Sequence, residues 1–255
     1  MRIEDMTIIE HEEIAQSTYR LVLEGELVTD MTAPGQFVHI QVGDHSMLLR
    51  RPISISEYSV DQKRCTLIYR AGGSGTGTQY LSQKQVGEKV NVLGPLGNGF
   101  TLPSEKSSIL IVGGGIGVPP LYELSKQLVE KGHQVTHVFG FQNKESIFLE
   151  DEFAKLGPTF IATNDGSRGQ KGFVTDVIEK LDSQFDDVFA CGPTPMLKAL
   201  KNRFTDDRLW ISMEERMGCG VGACFACIVK QSKDDGSYYK VCCDGPVFLA
   251  KEVLV

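Results

Sequence analysis

Along the first hundred residues, hydrophobic and polar positions alternate in short runs. The segments "MTIIEHEEI", "YRLVLEG", "QFVHIQV", "RPISISEY", "CTLIYR" and "KVNVLGPLG" follow a period of two and are set apart by Gly, Pro and polar residues. Side chains point to alternate faces along a strand, so the pattern predicts half-buried strands and, in succession, a small antiparallel barrel. From Ser107 the rhythm changes. "SSILIVGGG" is a continuous apolar run ending in glycines, and "VPPLYELSKQLVEKG" follows it with Leu121, Leu124, Leu128 and Val129 at helical spacing. A buried strand feeding a helix is expected there. "QVTHVFGF", "SIFLEDEFAKLG", "TFIATNDG", "FVTDVIEKL", "DDVFACGP" and "PMLKALKNRF" repeat the alternation, which predicts a parallel sheet flanked by helices. From "RLWISMEERMGCG" to Val255 the periodicity stops, and Gly and Cys dominate.

The expected chain is therefore multidomain, β followed by α/β. An antiparallel barrel spans 1–102, a parallel-sheet domain spans 103–211, and a small tail domain spans 212–255. A unit as short as the tail usually needs a staple such as a metal. With 255 residues, 41% hydrophobic and 23% charged, the composition is that of a globular protein and not of a disordered or collagen-like chain. A net charge of -7 without any Lys/Arg run argues against a nucleic-acid partner. The N-terminal "MRIEDMTIIEHEEIAQ" carries acids and lacks the apolar stretch of a signal peptide, and no apolar run approaches a membrane span. A cytoplasmic protein away from membranes is expected, with its thiols kept reduced.

Clustered cysteines then point to metal or redox chemistry. Five of the seven fall in "GCGVGACFACIVK" and "VCCD". Four residues separate Cys219 from Cys224 and two separate Cys224 from Cys227, and a later thiol follows at Cys242 or Cys243. This is the C-x4-C-x2-C…C order of a plant-type 2Fe-2S cluster, with Cys242 taken as the fourth ligand and Cys243 as its substitute. The small residues Gly218, Gly220, Gly222 and Ala223 let backbone N–H groups turn toward the sulfurs. A structural zinc site is the rival, but it commonly uses paired C-x2-C knuckles and only one is present. The tail holds no His, which excludes Rieske-type ligation. Cys65 sits in a strand pattern as a small apolar filler.

"LIVGGGIGVPPLYEL" puts Gly113, Gly114, Gly115 and Gly117 at a strand end and Pro119 and Pro120 at a helix start. Glycine admits a pyrophosphate close to the backbone, and proline suits a first helical turn. Val118 stands where the dinucleotide fingerprint has its last Gly, so alone the loop also reads as a ligand-free tight turn. "ACGPTPML" places Cys191, Gly192 and Pro193 at the same sheet edge, and "TNDG" brings Asp165 there as either a ligand or a turn former. In the barrel, "RRPISIS" pairs a fixed cation with a proline-stiffened strand. Arg51 suits a diphosphate and Ser54 a flavin or its phosphates. "IYRAGGSGTGTQYLS" runs from a strand through a glycine-rich loop into a short helix.

Taken together, these motifs resemble the ferredoxin reductase-like flavoproteins over about residues 1 to 211. With "SMEERMGCGVGACFACIVK" and "KVCCDGPVF", the whole chain resembles the electron transfer subunits of type B dihydroorotate dehydrogenases. The resemblance implies an FAD-binding barrel in which Arg51, Pro52, Ile53 and Ser54 hold FAD, joined by Ile68, Tyr69 and Arg70. A Gly-Thr pair should follow, either Gly75-Thr76 or Gly77-Thr78, and the "GTQYLS" continuation favours Gly77 and Thr78. It further implies that Gly113 to Pro120 and the Cys191, Gly192, Pro193 turn shape an NAD site, and that Cys219, Cys224, Cys227 and Cys242 ligate the 2Fe-2S cluster.

The implied partner is an FMN-containing dihydroorotate dehydrogenase catalytic subunit, in a heterotetramer of two of each. The path would join NAD, FAD and the cluster and end at the partner's flavin, in pyrimidine (UMP) biosynthesis. No acid–base or nucleophile constellation stands out, so dihydroorotate oxidation by this chain alone is not expected. Lys144 without an Arg in "FGFQNKESIF" favours NAD over NADP. The alternatives are a flavin/iron–sulfur reductase subunit of a sulfide dehydrogenase or of an NAD-dependent ferredoxin:NADP oxidoreductase, and a scaffold whose tail binds zinc.

Overall fold

The computed structural model describes residues 1–43, 47–181, 184–205, 207–233 and 236–255. It packs as two compact units, one of Met1–Gly99, Glu214–Val229 and Tyr238–Pro246, the other of Phe100–Met213, Lys230–Ser237 and Val247–Val255. The cysteine-rich tail is thus divided between them.

In the first unit, β1 (Arg2–Ala15), β2 (Thr18–Glu24), β3 (Phe37–Ile40), β4 (Arg51–Ser59), β5 (Arg64–Arg70) and β6 (Lys89–Leu96) form a closed barrel in the order β1-β2-β5-β4-β3-β6. These are the six alternating segments of the sequence, and every neighbouring pair is antiparallel. Helix α1 (Gly77–Leu81) follows the glycine-rich loop. Val38, Ile40, Ile53, Ile55, Leu67, Val90 and Val92 fill the interior. Cys65 is the small filler expected, and burial pushes its thiol up to about 12. Directly paired residues of two antiparallel strands share a face. With Val38 and Ile53 turned inward, the pairs Phe37↔Ser54 and His39↔Pro52 therefore lie on the outer face of the barrel.

The two central strands part at one end. β4 and β5 are paired from Ile55↔Leu67 to Ser59↔Arg64. Beyond that, residues 51–54 pair with β3, while residues 68–70 pair with β2. Pro52, which has no N–H to offer a ladder, sits where only one neighbouring strand is paired.

The second unit is built on β7 (Ser108–Gly114), α2 (Pro120–Glu130), β8 (Gln134–Phe141), α3 (Glu150–Ala154), β9 (Thr159–Thr163), β10 (Gln170–Lys171), α4 (Val174–Ile178), β11 (Asp187–Cys191), α5 (Thr194–Arg203) and β12 (Leu209–Ser212). In the tail come β13 (Ile228–Lys230) and β14 (Tyr238–Lys240), which pair with each other, and then β15 (Val247–Leu249). The sheet order is β10-β9-β8-β7-β11-β12-β15, parallel throughout except for β15 against β12. Ile109 to Val112 are completely buried, as a continuous apolar run in a covered parallel strand must be. Leu121, Leu124 and Leu128 of α2 are buried, whereas Val129 lies at the margin. Strands β12 and β15 fall where the periodicity had given out: four and three residues are too few to show a period. Among the described residues no helix is long and apolar enough to cross a membrane.

Candidate functional site

The cysteine loop is shaped by its own amides. Cys219 Sγ accepts from the backbone N–H of Val221 at 3.4 Å, Ala223 at 3.3 Å and Cys224 at 3.4 Å, and the amide of Cys219 donates to Cys224 Sγ at 3.4 Å. Burial alone would raise the Cys219 thiol, but these donors together with the Cys224 side chain bring it down to about 7. A sulfur so surrounded favours its anionic form, the form that binds metal. Gly220 and Gly222 have φ of +73° and +79°, which lets the chain fold back around the sulfur.

The second pair is built from two segments. The Val241 N–H donates to the Cys227 carbonyl at 2.9 Å, and the turn after it is closed by Asp244 N–H onto the Lys240 carbonyl at 2.7 Å. This sets Cys242 against Cys227, and burial, then the thiols of Cys227 and Cys243, push the Cys242 pKa upward. Cys242 is 2% exposed and Cys227 3%, whereas Cys243 is exposed, with its Sγ 3.6 Å from that of Cys242. None of the seven cysteines is in a disulfide.

Among the described residues, no three His, Cys, Asp or Glu side chains are grouped so as to hold a single metal ion. The buried and loop thiols stand as two pairs, Cys219 with Cys224 and Cys227 with Cys242, and Cys243 lies beside Cys242 on the exposed side. Two pairs suit a cluster of two irons, each taking two protein sulfurs, better than one tetrahedral zinc.

The parted end of β4 and β5 gathers the other barrel residues. Residues 51–54 line one side and 68–70 the other. Arg51 reaches α1: a Cβ on Gly77 would collide with Val42 Cγ2 and stand 3.0 Å from Arg51 Nε. Thr78 Oγ1 accepts from the Gly72 N–H at 2.9 Å. Thr76 instead caps α1, accepting from the Gln79 N–H at 3.3 Å, and Gly75 has open space around it. Tyr69 is held from behind, its hydroxyl 2.8 Å from His11 Nε2, while His11 Nδ1 is 2.8 Å from the Lys84 carbonyl. With Nδ1–H donating to that carbonyl, Nε2 accepts from the phenol. This clamp leaves no mark in the local pattern, because His11 lies far from Tyr69 along the chain.

In the second unit, the sheet runs outward from β7 through β8 and β9 on one side and through β11 and β12 on the other. The carboxyl ends of β7 and β11 therefore form the topological switch point, where open α/β sheets take their ligands. Gly113 and Cys191 are register partners at this point. The loop after β7 packs so closely on the turn after β11 that a Cβ on Gly117 would run into the Cys191 carbonyl and stand 2.6 Å from the Gly192 nitrogen. A Cβ on Gly114 would meet Pro193 Cδ at 2.7 Å. Cys191 itself is completely buried.

Comparison with known proteins matches this layout segment by segment. Residues 5–100 match the oxidoreductase FAD-binding domain, 111–202 the oxidoreductase NAD-binding domain, and 214–254 the iron-sulfur cluster binding domain of dihydroorotate dehydrogenase B. The dihydroorotate dehydrogenase B (NAD(+)) electron transfer subunit of Geobacillus sp. (strain WCH70) is 55% identical over 100% of both chains. That of Bacillus pumilus (strain SAFR-032) is 54% identical over 97% of this chain and 96% of its own. The chain belongs to the family of dihydroorotate dehydrogenase B electron transfer subunits. An NADH-dependent reduced ferredoxin-NADP oxidoreductase structure superposes with a TM-score of 0.87 at 32% identity, covering 98% of this chain and 90% of that one.

As a member of this electron transfer subunit family, the chain is an oxidoreductase component with FAD-binding, NAD-binding and iron–sulfur domains, and the zinc-scaffold alternative is set aside. The residue that sequence reading passed over is His39. Burial, then the guanidiniums of Arg50 and Arg51, hold its imidazole down to about 4. The only signal was a lone polar residue in the apolar run "FVHI".

Proposed function

We propose that this chain carries electrons between the FMN of a dihydroorotate dehydrogenase catalytic subunit and NAD+, through a 2Fe-2S cluster on Cys219, Cys224, Cys227 and Cys242 and an FAD at the parted end of β4 and β5. The observation that carries this reading is the two-pair arrangement of thiols in the same compact unit as the opened barrel. When bound, a flavin takes up the two electrons of a hydride and gives them out singly, which a nicotinamide and an iron–sulfur cluster need between them.

The protein's part is to bind and orient. Arg51 beside Gly77 and Thr78 takes the FAD diphosphate, with a fixed cation and N–H groups as its donors. Pro52, Ile53 and Ser54 on one side, and Ile68, Tyr69 and Arg70 on the other, flank the flavin. Gly113, Gly114, Gly115 and Gly117, with Cys191, Gly192 and Pro193, shape the NAD site at the switch point.

The partner docks over the cysteine loop. Val221, Phe225, Ile228 and Tyr238 are 42%, 48%, 47% and 46% exposed around it, and contiguous exposed apolar groups mark interaction surfaces. Phe225 is braced edge-on against Tyr238 at 5.8 Å, with Lys240 Nζ 4.8 Å over its ring. A cytoplasmic assembly of two copies of each subunit completes the reading.

The test is the visible spectrum of the anaerobic complex after limiting NADH and then orotate. Bleaching followed by recovery with orotate supports the whole path. Bleaching without recovery assigns the chain to another partner, and a flavin-loaded sample that does not bleach overturns the NAD assignment.

Two substitutions probe the assignments. Cys242→Ala is expected to lose iron and acid-labile sulfide while Cys243→Ala retains both, since only Cys242 is buried against Cys227. The reverse result would move the fourth ligand to Cys243. Gly77→Ala drives a methyl into Val42 and Arg51. Overpacking of this kind costs about 1–3 kcal/mol, so FAD retention on dilution should fall roughly 5- to 150-fold. Unchanged flavin content after gel filtration would count against the Gly77-Thr78 assignment.

A further inference from the structure

His39 is completely buried, and neither of its ring nitrogens makes a well-formed hydrogen bond. Among the described residues the only other buried side-chain nitrogen in this position is Arg20 Nε. A buried donor left unmade bears the full desolvation of that group, so such an atom calls for an explanation.

Its surroundings supply one. His39 stands on the outer face of β3, paired with Pro52 of the FAD-flanking segment. On its other side lies the cysteine loop: a Cβ on Gly220 would stand 2.6 Å from His39 Nδ1 and 3.2 Å from Leu96 Cδ1. The Cys219 main chain is the group that draws on the ring's N–H, in a hydrogen bond too poor in geometry to satisfy it. Facing pairs in an antiparallel ladder are about 5 Å apart, so a single side chain separates the strand that flanks the flavin from the loop that holds the first thiol pair. An imidazole has at least one N–H to donate in either charge state.

We propose that His39 is a positioning residue, donating its ring N–H to a sulfur of the cluster and so fixing the cysteine loop against the flavin-binding face of the barrel. The inference rests on the cluster assignment made above. Hydrogen bonds to cluster sulfurs stabilise the more negative, reduced state, so loss of the donor should move the cluster to a lower potential.

The experiment uses the full-length holoprotein labelled with 15N in the imidazole of histidine, with the cluster reduced and read by pulsed EPR, alongside redox titration of His39→Leu and His39→Gln. Support is a weak imidazole-nitrogen coupling in the wild type that His39→Leu abolishes, a lower cluster potential in His39→Leu, and a smaller change in His39→Gln, which keeps a donor. A wild-type spectrum without imidazole coupling overturns the proposal, as does a His39→Leu cluster with unchanged potential. If His39→Leu does not retain its cluster, the wild-type spectrum decides alone. Absence of any 2Fe-2S signal in the wild type would sink the functional reading, and this inference with it.

Discussion

A Cys219→Ala protein is expected to reduce its flavin with NADH at the wild-type rate and to pass no electrons to a catalytic subunit. The substitution removes the sulfur on which the amides of Val221, Ala223 and Cys224 converge, so it takes away a proposed ligand and unties the loop around it. Losing only an outer partner of a metal ligand typically costs 10- to 100-fold, and loss of the ligand itself should exceed that in orotate-coupled turnover. The flavin-flanking segments are tied elsewhere, residues 51–54 to β3 and 68–70 to β2, and should hold without the cluster. Iron and sulfide per flavin, rapid-mixing flavin reduction and orotate-coupled turnover measured on one preparation separate the steps. Full coupled turnover in the variant would contradict the proposed path.

Gly117→Ala should show the opposite division, with flavin and cluster retained and NADH reduction lost. The methyl would enter the Cys191 carbonyl and crowd the Gly192 nitrogen. Both are main-chain atoms at the end of a central strand, so no side chain can rotate away. The loop after β7 must then lift off the turn after β11, and the two define the switch point. A cost of about 1–3 kcal/mol for such overpacking, borne by the nucleotide site, corresponds to roughly 5- to 150-fold weaker NADH binding. Titration of flavin bleaching with NADH measures this, with dithionite as the control that the flavin and cluster still accept electrons. An unchanged NADH midpoint would show that this contact does not shape the nucleotide site.

The barrel strands and the β7–α2 unit were legible because each is long enough to declare its period: β1 and β4 alternate, Ile109 to Val112 run unbroken, and Leu121, Leu124 and Leu128 recur at helical spacing. The cysteine spacing was legible for a different reason, since Cys219, Cys224 and Cys227 lie in one short loop whose shape is local. What the sequence hid is non-local. The parting of β4 from β5 depends on which neighbour each strand end pairs with, and both ends read simply as strand. Cys242 and Cys243 differ by one position, and only the turn from Lys240 to Asp244 decides which faces Cys227. His39 becomes notable only when Gly220, far along the chain, covers it.

The divided tail bears on any attempt to cut this protein into parts. A cluster module delimited by its cysteines looks like a cassette that can be deleted or grafted onto another reductase. Truncation after Met213 would strip β15 from β12, leaving "LWIS" as a bare sheet edge, and such edges recruit other chains. It would also remove the Asn98 bonds to the Cys243 and Asp244 carbonyls and uncover the barrel face around Phe37 and His39. A reductase freed of its cluster is better made by point substitution than by shortening, and a transplanted cluster domain needs a host that supplies both a barrel face and a sheet edge.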